Sequence, residues 1–391
     1  MNRKALVEAA RVVGRILREG AYSNVLLRRE TDPAVRGLAL TAVRYLHRID
    51  RCLAAASSRP LQRVDRDVLD LLRVAVAALD GPTPAPMVVD MAVTACREMA
   101  PHAAGFVNAV LRRVAAGSTE ETTEPDVRFG IPRWLHEMLA AAWGEEEAEA
   151  FWEASNMAPP VGIRVRPGGV APSGAVHVPG IGDAAWIDRP PAPPGTVIQD
   201  PASVAVVHAV EAESGTTVLE VGAAPGQKTL ALVDRGATVV ALDVHPRRVR
   251  TGSRRVPQAN WLIADGRRLP LAPGSFPRVL VDAPCSGLGT LRRRPELRHR
   301  VTPGEIRRLA GLQRELVVAA MEAVAPGGRL VYAVCTVTPD ETVQVVEGLG
   351  FFPPDLSLGR RWGDGLVLTP HRDGTDGMFI SVWERPNLSS R

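Results

Sequence analysis

The sequence predicts two fold types in one chain: an all-α bundle at the N-terminus and an α/β domain with a mostly parallel sheet in the C-terminal half. Three observations carry this. Residues 5–116 place apolar side chains at helical spacing and show no strand pattern. Residues 117–126, rich in Thr and Glu, have the composition of a linker. From Thr196 onwards, short apolar runs alternate with helical stretches, the pattern of a parallel sheet covered on both faces.

Ala9, Val12, Val13, Ile16 and Leu17 predict a helix within 5–30, and Leu38, Ala42, Tyr45, Leu46 and Ile49 a second over 34–54. Three more follow at 63–79, 86–99 and 103–116, separated by Gly81-Pro82-Thr83-Pro84 and by Pro101. In the distinctive segment Gly105 to Arg113, Phe106, Val110 and Leu111 read as core and the arginines as a solvated helix end. A helix with Trp134, Leu135, Leu139, Trp143, Phe151 and Trp152 on its apolar side is expected over 132–156, then a strand at 162–166. Residues 167–195 are dense in Pro and Gly, which argues against long regular elements there. The α/β part is expected to hold strands at 217–221, 237–242, 260–263, 278–282, 329–334 and 378–383. Its helices are expected near 200–213, 226–235, 246–254, 303–324 and 340–347. Domain bounds of 1–118, 126–198 and 199–388 follow.

With 391 residues the chain has room for two or three cores. No apolar run approaches the ~20 residues of a membrane span, and Met1-Asn2-Arg3-Lys4 leads into an amphipathic helix rather than a signal peptide. A cytoplasmic monomer is expected. Cys52, Cys96, Cys285 and Cys335 show no paired metal spacing, so neither a metal site nor disulfides are expected. The net charge of +4 leans only weakly towards polyanions, because all but Lys4 and Lys228 of the 47 basic residues are arginine, a compositional habit. That habit makes Lys228 conspicuous.

Residues 218–229, Val-Leu-Glu-Val-Gly-Ala-Ala-Pro-Gly-Gln-Lys-Thr, read as a buried strand, a small-residue turn and a helix start. Gly222, Ala223, Ala224 and Gly226 let a ligand approach backbone N–H groups at a helix N-terminus. The run Ala237 to Leu242 then ends in Asp243, placed to accept ribose hydroxyls. Neither a Walker loop nor a dinucleotide fingerprint is present, which favours a nucleoside cofactor without phosphates, S-adenosylmethionine being the common one.

Two further strands end in chemistry: Arg278 to Val281 leads into Asp282-Ala283-Pro284-Cys285-Ser286-Gly287-Leu288-Gly289, and Leu330 to Val334 into Cys335-Thr336-Val337-Thr338-Pro339-Asp340-Glu341. A lone strand-end cysteine is usually a small buried hydrophobe, but two beside a nucleoside turn suggest chemistry. With Gly105 to Arg113, Gln199-Asp200-Pro201-Ala202-Ser203, Ala223 to Thr229 and Asp373-Gly374-Thr375-Asp376-Gly377, these motifs in this order resemble the RNA cytosine-5 methyltransferases of the Sun/Fmu (RsmB) type, which modify 16S ribosomal RNA.

The resemblance covers nearly the whole chain. It implies a NusB-like helical RNA-binding domain at 1–118, a short RNA-binding connector region at 126–198 and a Rossmann-like S-adenosylmethionine-dependent methyltransferase domain at 199–388. It implies Cys335 as the nucleophile that adds to cytosine C6, Cys285 as the cysteine of product release and Asp282 on the N3/N4 edge of the base. For the cofactor it implies Gly222, Ala223, Ala224, Pro225, Gly226, Gln227 and Lys228 on the methionine side, Asp243 on the ribose and Asp265 on the adenine, with Asp282 bordering the same site. DNA cytosine-5 enzymes resemble this in their Pro-Cys nucleophile and need no second cysteine, so both together favour RNA. The partner implied is 16S rRNA or a small-subunit assembly particle, with Arg292, Arg293, Arg294, Arg298 and Arg300 offered to phosphates. Gly222 stands where the family commonly has Cys, Gln227 where it has Gly, and Arg166 where it has Asn; residues 164–200 are abridged. Two other readings stay open: a non-catalytic RNA-binding assembly or antitermination-like factor, and the same chemistry on tRNA.

Overall fold

The structure is a computed structural model that describes residues 1–27, 30, 32–117, 124–188 and 192–387. Most of the linker expected at 117–126 lies outside the described residues. By its contacts the chain forms two units, one of residues 1–156 with 291–300, the other of residues 157–290 with 301–391. Boundaries at 118, 126 and 198 remain a proposal from composition.

The first unit is helical: α1 Arg3–Arg18, α2 Ser23–Leu26, α3 Pro33–Arg44, α4 Leu46–Ala56, α5 Arg66–Leu79, α6 Ala85–Met99, α7 Ala104–Ala116, α8 Pro125–Arg128, α9 Arg133–Trp143 and α10 Glu145–Asn156. The side chains of Asn2, Asp32 and Asp65 accept from the first-turn N–H groups of α1, α3 and α5. Leu6, Val13, Ile16, Ile49, Leu53, Leu71, Leu72 and Val88 fill one core. Three expected long helices are broken. The one over 5–30 stops ahead of Gly20 at φ +69°, the one over 34–54 splits at Tyr45, and the one over 132–156 at Gly144, φ +90°. Apolar periodicity runs on through a turn whose backbone has left the helix. In α7, Val107, Val110 and Leu111 are buried, and the Arg59 guanidinium lies 4.0 Å over the Phe106 ring, in keeping with the core reading.

The phosphate reading of the arginines is corrected at Arg292 and Arg298, which are buried within the helical unit. Arg298 Nη1 donates to Arg44 O (3.2 Å), Phe129 O (2.8 Å) and Asn156 Oδ1 (2.9 Å). Arg44 donates to Arg292 O, Arg300 to Ile16 O, and Glu296 accepts from Ser23 N. Arg294 and Arg300 lie over the Tyr22 ring. Guanidinium groups carry five donors on a fork, so a turn of unpaired carbonyls can hold them in place of phosphate.

The second unit contains two sheets. Strands β1 Val161–Val165, β2 Val176–Val178, β3 Ile181–Ile187 and β4 Thr196–Ile198 form an antiparallel sheet in the order β2-β3-β1-β4. Long regular elements were not expected inside 167–195, and β2 has three residues; β3, with seven, is the exception, burying Ile181, Ala184, Ala185 and Ile187, while glycines at positive φ (Gly168, Gly174, Gly180) make the turns. The main sheet holds β5 Thr217–Val221, β6 Thr238–Asp243, β7 Asn260–Ile263, β8 Phe276–Asp282, β9 Val324–Val334, β10 Arg360–Trp362, β11 Gly365–Leu368 and β12 Met378–Glu384. Its order is β10-β11-β12-β9-β8-β5-β6-β7, with β7 through β9 parallel and β12, β11 and β10 antiparallel.

Helix α11 Pro201–Val210 and α12 Gln227–Asp234 bury Val204, Val207 and Leu232 against Val218, Leu280 and Val331 on one face. Helix α13 Pro246–Arg255 packs on β6 and β7, and α14 Pro303–Ala323 on β8 and β9. The expected helix at 340–347 shrinks to Val343–Val346, α15. The strand order reverses between β5 and β8, and such a switch point opens a crevice at the carboxyl ends of the strands.

Candidate active site

Strand β5 ends in that crevice, and the chain turns through Gly222 (φ +81°) and Gly226 (φ +90°) into α12. The amides of Gly222 and Ala223 donate to Leu242 O at the end of β6, which ties the turn to the strand carrying Asp243. A Cβ at residue 222 would stand 2.2 Å from Asp282 O, so this backbone requires glycine where the family carries a side chain. Pro225 follows a cis peptide bond. Gln227 donates to Ile198 O of β4, and at the other end of α12 Asp234 accepts from Arg164 (2.6 Å) and Arg166 (2.7 Å). Both departures, Gln227 and Arg166, thus fasten the small sheet to the helix behind the turn.

Lys228 crosses to β8, with Nζ 2.7 Å from Asp282 Oδ2. Burial pushes the Lys228 ammonium down, but the adjacent Asp282 carboxylate outweighs it and the net shift is upward. Beneath them Glu220 is fully buried, and its Oε2 accepts from Thr229 Oγ1 at 2.6 Å. Burial drives its carboxyl up to about 8, against the opposing Thr229 hydrogen bond. An unfolded glutamate titrates near 4.5. Stability drawn from the protonated form is therefore full below that value and lost as pH rises towards 8, at up to about 1.4 kcal/mol per pH unit. Glu220→Gln should flatten the fall of the unfolding midpoint across this window; equal slopes in both proteins would show that another group titrates.

Asp243 is buried, and its Oδ1 accepts from His245 N at 2.8 Å, leaving Oδ2 without a partner among the described residues. Asp265 follows β7 and is engaged by its own loop: Arg267 donates to both oxygens, from Nε and from Nη2 at 2.7 Å, and these bonds hold the carboxyl down at about 2.

The β8 and β9 ends bring the two cysteines together. Cys285 Sγ lies 3.3 Å from Cys335 Sγ, both half-buried. The Cys335 contact, burial and the charges of Cys335 and Glu341 push the Cys285 thiol well above its ordinary range. The loop after Cys285 is pinned where Gly289 N donates to Cys335 O (3.0 Å) and Gly377 N to Gly289 O (2.8 Å). A Cβ at residue 289 would meet Gly377 O at 2.1 Å, so the second glycine of Asp-Gly-Thr-Asp-Gly and this one meet backbone to backbone.

Behind the thiols sits a residue to which sequence reasoning gave no role. Glu341 is fully buried and accepts from Ser286 N (2.7 Å) and Oγ, Thr336 Oγ1 (3.2 Å), Thr338 Oγ1 (2.9 Å) and Gln313 Nε2 (3.1 Å). Tyr332 donates to Gln313 Oε1 and Glu341 O. The available signal was Gln313, a polar residue on the buried stripe of α14 with Leu309 and Leu316. Trp261 was also missed; its indole meets Gly252 and Gly226 beneath the nucleoside turn.

Among the described residues no group of His, Cys, Asp and Glu is arranged to hold a metal, and no helix is long and apolar enough to cross a membrane.

Residues 207–384 match the family model described as 16S rRNA methyltransferase RsmB/F, and residues 3–116 match the NusB family. The Thermus thermophilus protein named ribosomal RNA small subunit methyltransferase B is 33% identical over 369 residues, covering 90% of this chain and 88% of its own. A Mycobacterium tuberculosis protein named "putative methyltransferase" is 34% identical over 399 residues, covering 86% of this chain and 85% of its own. Among solved structures, that of PH0851 aligns over 98% of both chains with a TM-score of 0.80 at 22% identity. A methyltransferase homolog protein from Pyrococcus horikoshii covers 66% of this chain and 97% of its own, with a TM-score of 0.57 at 23% identity. These two likenesses carry the fold.

Proposed function

The chain belongs to the RsmB/F family of 16S rRNA methyltransferases, with a NusB-family domain at its N-terminus, and from this premise we propose that it methylates C5 of a cytosine in 16S rRNA through a Cys335 adduct. The observation that carries the proposal is the pair of thiols 3.3 Å apart at neighbouring strand ends, beside the Lys228–Asp282 ion pair.

S-adenosylmethionine, the cofactor of this family, supplies a methyl group made electrophilic by its sulfonium. The residues fit it: the turn 222–226 carries no side chain larger than that of proline, and Asp243 keeps one oxygen for a ribose hydroxyl. Cytosine C5 is a poor nucleophile until a thiolate adds at C6. Cys335 Sγ makes that bond, pushing the electron pair of the C5–C6 double bond towards C5. Asp282, held by Lys228, accepts from the N4 amino group and orients the ring. After the methyl is accepted the C5 proton leaves, the double bond re-forms and Cys335 is expelled.

The test is incubation with methyl-tritiated S-adenosylmethionine and unmodified 16S rRNA, then nucleoside analysis. Labelled 5-methylcytidine is expected. Label on tRNA alone, or only on an assembled particle, would replace the substrate; label in another nucleoside would overturn the chemistry; no label with any RNA would leave a non-catalytic RNA-binding factor.

A further inference from the structure

Family membership explains why two cysteines are present but not what fixes their separation. Cys285 and Cys335 stand on different loops. Backbone bonds from Ala283 N to Ala333 O (3.1 Å) and from Gly289 N to Cys335 O (3.0 Å) tie those loops on either side of Cys285, and a side-chain tie lies one residue further on in each. Ser286 and Thr336 are hydrogen-bonded to one another at 2.7 Å, and both hydroxyls lie within hydrogen-bond distance of the same Glu341 oxygen, Oε2. Gln313 donates to Pro284 O as well as to Glu341, so the residue before Cys285 is held by the same hub.

We propose that Glu341 is the positioning residue for product release, holding Cys285 at the distance from Cys335 at which it assists expulsion of Cys335 from the methylated base. The inference rests on the cysteine mechanism proposed above and assigns Glu341 a part in one step of it. In that step the C5–H bonding pair restores the C5–C6 double bond, and the Cys335 Sγ–C6 bond breaks with its pair returning to sulfur. While the adduct exists Cys285 carries a proton; it gives this proton to the Cys335 sulfur as the Sγ–C6 bond breaks and takes the C5 proton in its place, and Cys335 then releases one proton to solvent to become the thiolate of the next cycle.

The chemistry of the hub favours this over a merely structural tie. Among the described residues Glu341 has no ion-pair partner, and a buried carboxylate without one is costly unless its lone pairs are satisfied. Here five donor groups surround the two oxygens, a charge-assisted network stronger than neutral bonds and demanding in geometry. The Cys335 contact and burial raise the Cys285 thiol most, and the Glu341 charge acts in the same direction.

The experiment uses the full chain, unmodified 16S rRNA and S-adenosylmethionine, and reads two quantities: 5-methylcytidine formed, and protein covalently attached to RNA on a denaturing gel. Glu341→Gln keeps the side-chain volume and lets the three hydroxyls rotate to accept, but removes the charge. It should lower product formation about 100-fold, the cost of a misplacement near 1 Å, while the covalent adduct rises from trace to a large fraction of the enzyme. Ser286→Ala removes one donor, leaves every reacting group in place, and should shift the adduct-to-product ratio in the same direction by a smaller factor; it decides the matter if Glu341→Gln does not fold. Adduct and product falling in parallel in both variants would overturn the positioning role. Product formed by Cys335→Ala would instead overturn the cysteine mechanism itself, whatever Glu341 does.

Discussion

Cys335→Ala is expected to abolish methyl transfer, by on the order of 10⁴-fold or more, with no covalent RNA adduct and with cofactor affinity unchanged. The loss is large because nothing else in the crevice can make the C6 bond. Asp282 is an oxygen base tied to Lys228, and Cys285 is held as a thiol by burial, by Cys335 and by the Glu341 charge. Cys285→Ala is expected to behave in the opposite way: the adduct forms, release fails, and protein–RNA complexes accumulate on a denaturing gel. Residual turnover in Cys335→Ala near that of the parent protein would remove it from the chemistry.

The second large effect is expected at the Lys228–Asp282 pair. Asp282→Asn should lower kcat by about 10²–10³-fold, the usual cost of losing one oriented group at a reacting centre. Lys228→Met should cost stability as well, on the order of 3 kcal/mol, because it strands the Asp282 carboxylate above the fully buried Glu220. Lys228→Arg should rescue neither readout. A guanidinium is larger than an ammonium, and Lys228 is buried with Nζ already 2.7 Å from Asp282 Oδ2, so the longer head must displace its surroundings. Thermal unfolding and single-turnover methylation of the three variants check this; an active arginine variant would show that only the charge matters.

The sheet was legible because parallel strands buried on both faces are written as short continuous apolar runs, and β5 through β9 and β12 fall on those runs. Their carboxyl ends carry the proposed site, and Gly222, Asp243, Asp282, Cys285 and Cys335 were its candidates from spacing and resemblance. Helix ends were less legible. Gly20 and Gly144 each end a helix by adopting positive φ, a local choice that apolar periodicity does not register. The small antiparallel sheet was hidden by its own turns, since Pro and Gly at 167–195 mark the reversals and only β3 is long. Glu341 escaped notice for a different reason. Its donors come from residues 286, 313, 336 and 338, and a hub drawn from three separate segments has no signature in any one of them. The arginines after the Cys285 loop misled through composition, because in this chain an arginine run is as readily a set of buried donors as a phosphate clamp.

That last segment bears on how the protein is made. Residues 291–300 supply Arg298 to the carbonyls of Arg44 and Phe129, and Glu296 to the amide of Ser23, so the helical unit lacks part of its interior until this stretch exists. During synthesis the first 156 residues emerge long before their last ten partners, while β1 to β8 are still being added. The N-terminal helices must therefore wait in a partly filled state, with backbone oxygens open to water or to a chaperone, and their packing is completed only after the Cys285 loop has been translated.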